Sequence, residues 1–439
     1  MSSVAVGERY LVMCDAGNNN NKFYRMHPNL DGTTFTVEYG RVGAHGQSMT
    51  YPITQFGAKY NEKVRKGYKD TTDMRKELIT AQTTTGTKTD TVTDFTDVTD
   101  AGVKAIIREL QMYAIRTLKA NYRVSSASVT QSMVDKVDVY LQELDKLLKQ
   151  YRNLCKNSVV NTTIPQQFDT ILQQGVFTAI PRVMQQVSYY IVCGNVDLQD
   201  TNATAKRMAQ IIDSERALLD VMRTKVAQNT NITTTHTNDT ATLKALGLEI
   251  TPCTDKDLAI IRRELGASAN RLCGAWCVKN LRTHEAFEKF KREHKGDYQR
   301  FPCKLLWHGS RNQNWWSIIN SGLKLSPQNA VITGKMFGRG IYFAPKAQKS
   351  IGYTSVPDSH WNNERESCGF LALYATAYGK PYNVDTNYGI SSDFGWHDLQ
   401  KRCPGAHCVH AHAGRALRND EIIFYNESQC TIKYIVKIK

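Results

Sequence analysis

His308, Gly309 and Ser310 follow directly on Leu305, Leu306 and Trp307 in KLLWHGSR, at the point where a buried strand runs out. Side chains at such an end face the space beyond the sheet, and a glycine there lets the backbone come close to a ligand. Further on, GKMFGRGIYFAPKAQKSIGY gathers Gly334, Gly338 and Gly340 in a loop, Tyr342 on a strand, and Ser350 and Tyr353 on a helical turn. RNDEIIFY sets Glu421 at the head of an apolar strand, where a carboxylate is costly to bury without a partner. Each has a plain structural alternative: a satisfied core histidine, a solvated strand end. The glycines do not have Rossmann spacing, and no βαβ unit surrounds them. Lys324, Lys335 and Lys349 lie near these motifs and suit either phosphate binding or ordinary solvation. Lys349 stands out because it immediately precedes Ser350.

A second constellation, CPGAHCVHAHAG, offers Cys403, His407, Cys408, His410 and His412 as zinc ligands. Adjacent ligands at 407 and 408 fit poorly into one tetrahedral site, so no metal is expected there.

The elements that must carry these residues can be outlined from pattern. At 439 residues the chain is long enough for several domains. Lysine and arginine outnumber aspartate and glutamate by 56 to 41, a field that favours polyanions unless it is merely a solvated basic surface. Eleven cysteines lack framework spacing, and MSSVAVGERY lacks a signal-peptide core, so an intracellular setting is expected. No apolar run is long enough to cross a bilayer, and no membrane partner is expected. Two threonine-rich stretches, Thr80–Asp100 and Asn229–Thr242, read as a linker and as a boundary or exposed loop.

Three regions result. Before the first break, FTVEYGRVG alternates Phe35, Val37 and Tyr39 on one strand face, and NKFYRM supplies an antiparallel partner approached by an exposed asparagine run. Lys59, Lys63, Arg65, Lys66 and Lys69 follow Phe56 and suit either a phosphate backbone or solvent. Between the breaks, Val103, Ile106, Ile107, Leu110, Ala114 and Leu118 keep helical spacing, as do Met133, Val137, Leu141, Leu144 and Leu148, and then Met208, Ile211, Ile212, Leu219 and Met222. A helical bundle is expected. After the second break, KLLW, GRGIYFA, GFLALYATAYG, EIIFY and TIKYIVKIK indicate a strand-rich α+β domain. FEKFKREHKGDYQRF fits a helix at Phe287 and Phe290 but a turn and strand after Gly296.

Taken together, LLWHGSR, Gly322 with Leu323, ITGKMFGRGIYFA, KSIGY and NDEIIFY resemble the catalytic domain of the poly(ADP-ribose) polymerases over most of residues 243–439. The family's histidine–tyrosine–glutamate triad falls on His308, Tyr342 and Glu421. The resemblance implies NAD as substrate and no metal requirement. It implies that His308 and Ser310 hold the adenosine ribose, and that the Gly309 backbone and Ser350 bind the nicotinamide amide. By the same resemblance Tyr353 stacks on the nicotinamide ring and Tyr342 walls the pocket; of the three lysines Lys349 is the best placed to meet the NAD pyrophosphate or a growing polymer, with solvation the alternative. NKFYRMH, VEYGRVGAHGQ and FGAKYNEKVRKGY resemble a WGR domain whose signature reads Tyr39, Gly40 and Arg41 here, with Lys63 and Lys66 as further DNA contacts. Residues 100 to about 228, with GVFTAIP at Gly175–Pro181, resemble the family's helical regulatory domain.

The expected organisation is therefore multidomain α+β. A small antiparallel WGR-like DNA-binding domain occupies 1–79, a linker 80–99, an all-α regulatory bundle 100–228 and a mixed, strand-rich ADP-ribosyltransferase domain 229–439. The implied function is DNA-stimulated poly(ADP-ribose) formation on itself and other proteins at DNA strand breaks, nuclear if the host is eukaryotic. Mono-ADP-ribosylation and a DNA-break scaffold with an inactive transferase domain are the alternatives. Without zinc-finger or BRCT-like segments ahead of the WGR-like region, DNA-end recognition falls on that region. The chain stopping at KYIVKIK makes serine acceptors unexpected.

Overall fold

The computed structural model describes residues 4–42, 44–73, 91–122, 126, 129–157, 159–235, 241–296, 303–325, 336–359, 365–391, 394–415 and 417–439. The chain divides into two compact units. One comprises Met1–Thr91 and Arg116–Val226, the other Val92–Ile115 and Ala227–Lys439.

The first unit opens with β1 (Arg9–Asp15), β2 (Asn20–Pro28), β3 (Thr34–Arg41), β4 (Gln47–Pro52), α1 (Phe56–Arg65) and β5 (Lys69–Asp70). The strands form one antiparallel sheet in the order β4-β3-β2-β1-β5. The alternation in FTVEYGRVG buries Phe35 and Val37 with Leu11, Tyr24, Met26, Phe56 and Tyr68, and Tyr39 packs against this core. NKFYRM lies in β2 and pairs with β3 as the pattern predicts. The asparagine run before it is exposed at Asn18 and Asn19 as expected, while Asn21, the first residue of NKFYRM, is buried and donates its amide to the Arg182 carbonyl at 3.2 Å. A buried amide needs such a partner, and pattern alone does not reveal one from so distant a segment.

The helical part comprises α2 (Ala101–Asn121), α3 (Gln131–Lys156), α4 (Thr163–Ile171) and α5 (Thr201–Thr235). The expected apolar stripes are buried from Val103 to Leu118 and at Met133, Val137, Leu141, Leu144, Leu148 and Tyr151, while Tyr140, expected in the second stripe, is only partly buried. Two ion pairs, Arg182–Glu215 and Arg216–Asp145, tie helical segments within the first unit. The stretch Asn229–Thr242, read as a boundary or an exposed loop, starts as helix, because α5 runs to Thr235, and it lies just past Ala227, where the chain passes into the second unit. Extending a long helix needs no new nucleus, so polar residues of modest propensity are carried along at its end. Residues 236–240 lie outside the described residues.

In the stretch read as a linker, residues 80–90 are likewise outside the described set. Its later part is anchored in the second unit. Phe95 is buried with its ring 6.0 Å from that of Trp316, and the Asp97 carboxylate accepts from Leu243 N–H at 2.8 Å and Lys244 N–H at 3.0 Å.

The second unit continues through β6 (Leu248–Pro252), α6 (Asp255–Leu265), β7 (Leu272–Asn280), α7 (Leu281–Glu293), β8 (Lys304–Gly309) and α8 (Trp315–Ser321). After these come β9 (Ile341–Phe343), α9 (Ala347–Ile351), β10 (Gly369–Thr376), β11 (Pro381–Val384), α10 (Trp396–Arg402), β12 (Cys408–Ala411), β13 (Glu421–Phe424) and β14 (Cys430–Ile438). FEKFKRE is helical to Glu293, while residues 297–302 are outside the described set. Two sheets result, ordered β6-β7-β14-β10-β8 and β11-β12-β13-β9. They join where Trp307 and Ala344 exchange backbone hydrogen bonds of 2.9 Å in each direction. The fold is thus mixed α+β, with the strand-rich second unit carrying every candidate catalytic residue.

A capping box opens α6: Thr254 Oγ accepts from Asp257 N–H at 3.3 Å, and Thr254 N–H donates to Asp257 Oδ2 at 2.9 Å. The Thr254 hydroxyl first, then Tyr434, hold the Asp257 carboxyl down to about 2 from 3.8. Thr254→Ala should cost about 1 kcal/mol at neutral pH, the usual loss for an N-cap. A carboxylate with a depressed folded pKa stabilises above its unfolded value and loses that contribution as it protonates. The stability gap between variant and parent should therefore narrow as pH falls from 3.8 towards 2. Urea unfolding across that range reads the gap directly.

Candidate active site

His308 is the penultimate residue of β8, opposite Ala372 of β10. Its Nδ1 lies 3.0 Å from the Tyr342 carbonyl oxygen. A carbonyl can only accept, so Nδ1 carries the proton and the ring is fixed in one orientation. Edge-on contacts with Phe343, Trp315 and Tyr374, at centroid distances of 5.8, 6.2 and 6.3 Å, complete its seat. Tyr374 is a residue that sequence reasoning missed. It lies inside GFLALYATAYG, where only burial was legible.

Gly309 is required by space. A Cβ there would stand 1.9 Å from the Ser350 carbonyl oxygen and 2.8 Å from its carbon. Ser350, in α9, is buried and donates its hydroxyl to the Trp307 carbonyl at 3.1 Å, so the α9 backbone is drawn tightly onto the end of β8. Ser310 Oγ accepts from Asn314 Nδ2 at 3.1 Å, which orients the hydroxyl just past the strand. Tyr353 follows α9 with its amide bonded to the Ser350 carbonyl and its ring 40% exposed.

Tyr342 and Glu421 sit on neighbouring strands of the other sheet. Tyr342 pairs with Ile423, two residues from Glu421, so period-two alternation puts Tyr342, Ile423 and Glu421 on the same face. The Tyr342 hydroxyl donates to the Gly338 carbonyl at 2.9 Å and accepts from Phe337 N–H at 3.0 Å. Burial raises its pKa far above the usual phenol range, so it stays a neutral wall. Gly338 therefore serves through its carbonyl, at a φ of +79° that only glycine adopts readily.

Glu421 Oε1 meets Lys349 Nζ at 2.6 Å, with both side chains nearly buried at 12% and 13% exposure. Lys349 also donates to the Asn419 carbonyl at 3.1 Å. The carboxylate thus meets one cation, the partner that its near-burial demands. Of the other two lysines, Lys324 pairs with Glu427 at 2.9 Å, and Lys335 lies outside the described residues. Lys324 also lines a cavity of about 120 Å³ with Arg282, Tyr374 and Glu427. None of the candidate catalytic residues lines it.

The cysteine–histidine string divides. Cys408 is buried with Sγ towards the Tyr378 carbonyl, and buried His407 accepts Lys380 N–H on Nδ1 at 3.0 Å. Cys403 ends α10. His410 and His412 instead turn towards Asp420, which the sequence reading had not grouped with them.

In the first unit, the Arg41 guanidinium donates to the carbonyls of Asn19, Met184 and Gln185 at 2.8, 3.1 and 2.7 Å. Lys63 Nζ lies 4.4 Å from the Tyr24 ring centre, and burial lowers its pKa. Lys66 pairs with Glu62 at 2.6 Å while its side chain stays 61% exposed. The Tyr39 hydroxyl reaches Met49 Sδ at 3.6 Å.

The poly(ADP-ribose) polymerase catalytic domain model matches residues 262–439, and the WGR domain model matches residues 7–75. A poly(ADP-ribose) polymerase-like protein of Invertebrate iridescent virus 6 is 32% identical over 174 residues, covering 38% of this chain and 87% of that one. Poly(ADP-ribose) polymerase 2 of Zea mays is 25% identical over 422 residues, covering 89% of this chain and 60% of the maize protein. Poly(ADP-ribose) polymerase 1 of Danio rerio is 30% identical over 186 residues, and this chain spans 18% of it. The chain therefore spans most of its viral relative but under two thirds of the maize and zebrafish proteins. Among the described residues no helix is long and apolar enough to cross a membrane. The catalytic-domain match falls on the two sheets that carry His308, Tyr342 and Glu421, and the chain belongs to the poly(ADP-ribose) polymerase family, whose NAD-consuming ADP-ribosyltransferase domain it carries.

Proposed function

We propose that this chain builds poly(ADP-ribose) on itself and on other proteins in response to DNA breaks. The observation that carries the reading is the buried Glu421 carboxylate, charge-paired with Lys349 and on the same sheet face as Tyr342. Cleaving the ribose–nicotinamide bond of NAD leaves an oxocarbenium-like ribose and a neutral nicotinamide. The protein must hold the sugar and stabilise that developing positive charge. Glu421 holds a ribose hydroxyl in this reading and polarises the acceptor hydroxyl. A ribose hydroxyl of an earlier addition is as good an acceptor as a protein group, and that supports chain growth. His308 and Ser310 take the adenosine ribose. The Gly309 backbone and Ser350 take the nicotinamide amide, and Tyr353 stacks on its ring. No protein group assigned here requires a metal for this reaction.

DNA enters at the WGR domain. Lys66 and Tyr39 remain at its surface for phosphate and sugar contacts. A phosphate that takes the Arg41 guanidinium would release the Met184 and Gln185 carbonyls, linking DNA contact to the helical segment within the same unit. A DNA partner places the chain inside the cell, and in the nucleus of a eukaryotic host.

Incubating the purified full chain with labelled NAD, with and without nicked or blunt-ended DNA, tests both parts. The expected result is a ladder of products whose intensity rises at least about tenfold with DNA, as for a coupling free energy of ~1.4 kcal/mol. Labelling that ignores DNA would remove the break-sensing part. A chain that consumes no NAD under either condition would sink the transferase reading.

A further inference from the structure

His410, His412 and Asp420 present ligand atoms that all lie within 4.8 Å of one another. His410 Nε2 is 3.0 Å and His412 Nδ1 is 3.5 Å from the same oxygen, Asp420 Oδ2. A tetrahedron with metal–ligand bonds of about 2.0 Å has edges of roughly 3.3 Å, so two of the three edges already match. The third spans at most 4.8 Å between two imidazoles that stack with centroids 4.0 Å apart.

The far nitrogens are held as well. His412 Nε2 lies 2.9 Å from Asn383 Oδ1, and His410 Nδ1 lies 2.7 Å from the Tyr378 hydroxyl. The amide oxygen can only accept, so it holds a proton on His412 Nε2 and leaves Nδ1 facing Asp420. Metal-bound histidines are oriented by this kind of partner on the second ring nitrogen. Asp420 Oδ1 is separately tied down, accepting Ala413 N–H at 2.8 Å.

We infer that His410, His412 and Asp420 bind one divalent transition-metal ion of the zinc class, with water completing the coordination. Two imidazoles and one carboxylate are a donor set suited to zinc, and the half-exposed His412 and Asp420 leave a way in from solvent. The ion would act on structure rather than on the reaction. In the β12–β13 ladder His410 pairs with Ile422 and Ala411 with Glu421. Alternation therefore directs the histidines to one face and Glu421 to the other. The metal would clamp the residue before Glu421 to the end of β12 from behind, leaving the substrate face open.

The test uses the full chain, stripped with chelator, reloaded with Zn²⁺ and dialysed before metal analysis. His412→Ala and Asp420→Asn serve as variants, because both side chains are partly exposed and their loss spares the core. The expected result is one equivalent of zinc retained by the parent and lost by both variants. Asn383→Ala should weaken binding roughly 10–100-fold, the usual effect of removing a partner behind a ligand. Substituting Co²⁺ should give the visible absorption of a low-symmetry site in the parent alone. Zinc retained equally by parent and variants would assign it to cysteine thiols such as the exposed Cys273 and Cys303, and would overturn the inference. A parent that retains none would overturn it too, leaving a hydrogen-bonded histidine–aspartate group.

Discussion

Replacing Glu421 by glutamine should cut transfer from NAD by a factor on the order of 10²–10⁴, the range for removing a positioned general base. Products that remain should be single additions, since elongation needs the carboxylate for each new ribose acceptor. Glutamine keeps the shape but not the charge, so Lys349 loses its ion-pair partner at 13% exposure and keeps only the Asn419 carbonyl. That loss should cost about 1–3 kcal/mol of stability. Removing the orphaned cation with Lys349→Met in the same chain should return most of that stability and none of the transfer. Denaturant unfolding beside labelled-NAD gels separates the two effects. Transfer restored in the double variant would assign Glu421 a purely structural part.

Gly309→Ala should abolish labelling and lower stability by about 3 kcal/mol, the upper end of the usual overpacking range. The methyl would meet the Ser350 carbonyl at 1.9 Å, and backbone cannot swing aside as a long side chain can. Relief requires α9 to withdraw, which breaks the Ser350–Trp307 hydrogen bond and displaces Ser350 itself. Gly57 is the matched control. It lies in α1 with nothing within 4 Å of an added Cβ, so Gly57→Ala should be neutral or stabilise by about 0.5–1 kcal/mol. Melting curves and NAD labelling on both variants check the contrast. An active, stable Gly309→Ala chain would mean that α9 yields easily and that the close approach has no role.

Much of this was legible in the chain because the signals are local. Alternation located β3, the helical stripes located the bundle, and an acidic residue at the head of an apolar strand marked Glu421. Lys349 was singled out only for its place beside Ser350, and the structure gives it a carboxylate partner. What pattern could not show depends on distant segments. Nothing in the pattern shows that Arg41, expected to contact phosphate, also holds the carbonyls of Met184 and Gln185. Asn21 opens the strand NKFYRM, and nothing in that pattern shows that its amide satisfies the Arg182 carbonyl. Threonine and asparagine at 229–235 suit a boundary or a loop because propensity speaks for single residues, while a helix already running from Thr201 propagates through them. In CPGAHCVHAHAG the donors were visible but their directions were not. His410 and His412 share a strand face and reach Asp420, whereas His407 points the other way, and the aspartate's own signal was hidden beside Glu421.

The bridge between Trp307 and Ala344 joins the sheet that carries His308 to the sheet that carries Tyr342 and Glu421. Neither sheet alone holds a usable site, and the strands involved are far apart in the chain. Pairings of that kind are slow to close, since loop entropy must be overcome before the contact rewards it. On refolding, the chain should therefore regain most of its secondary structure before it regains any catalytic competence, and the seam is where a partly folded molecule would be arrested.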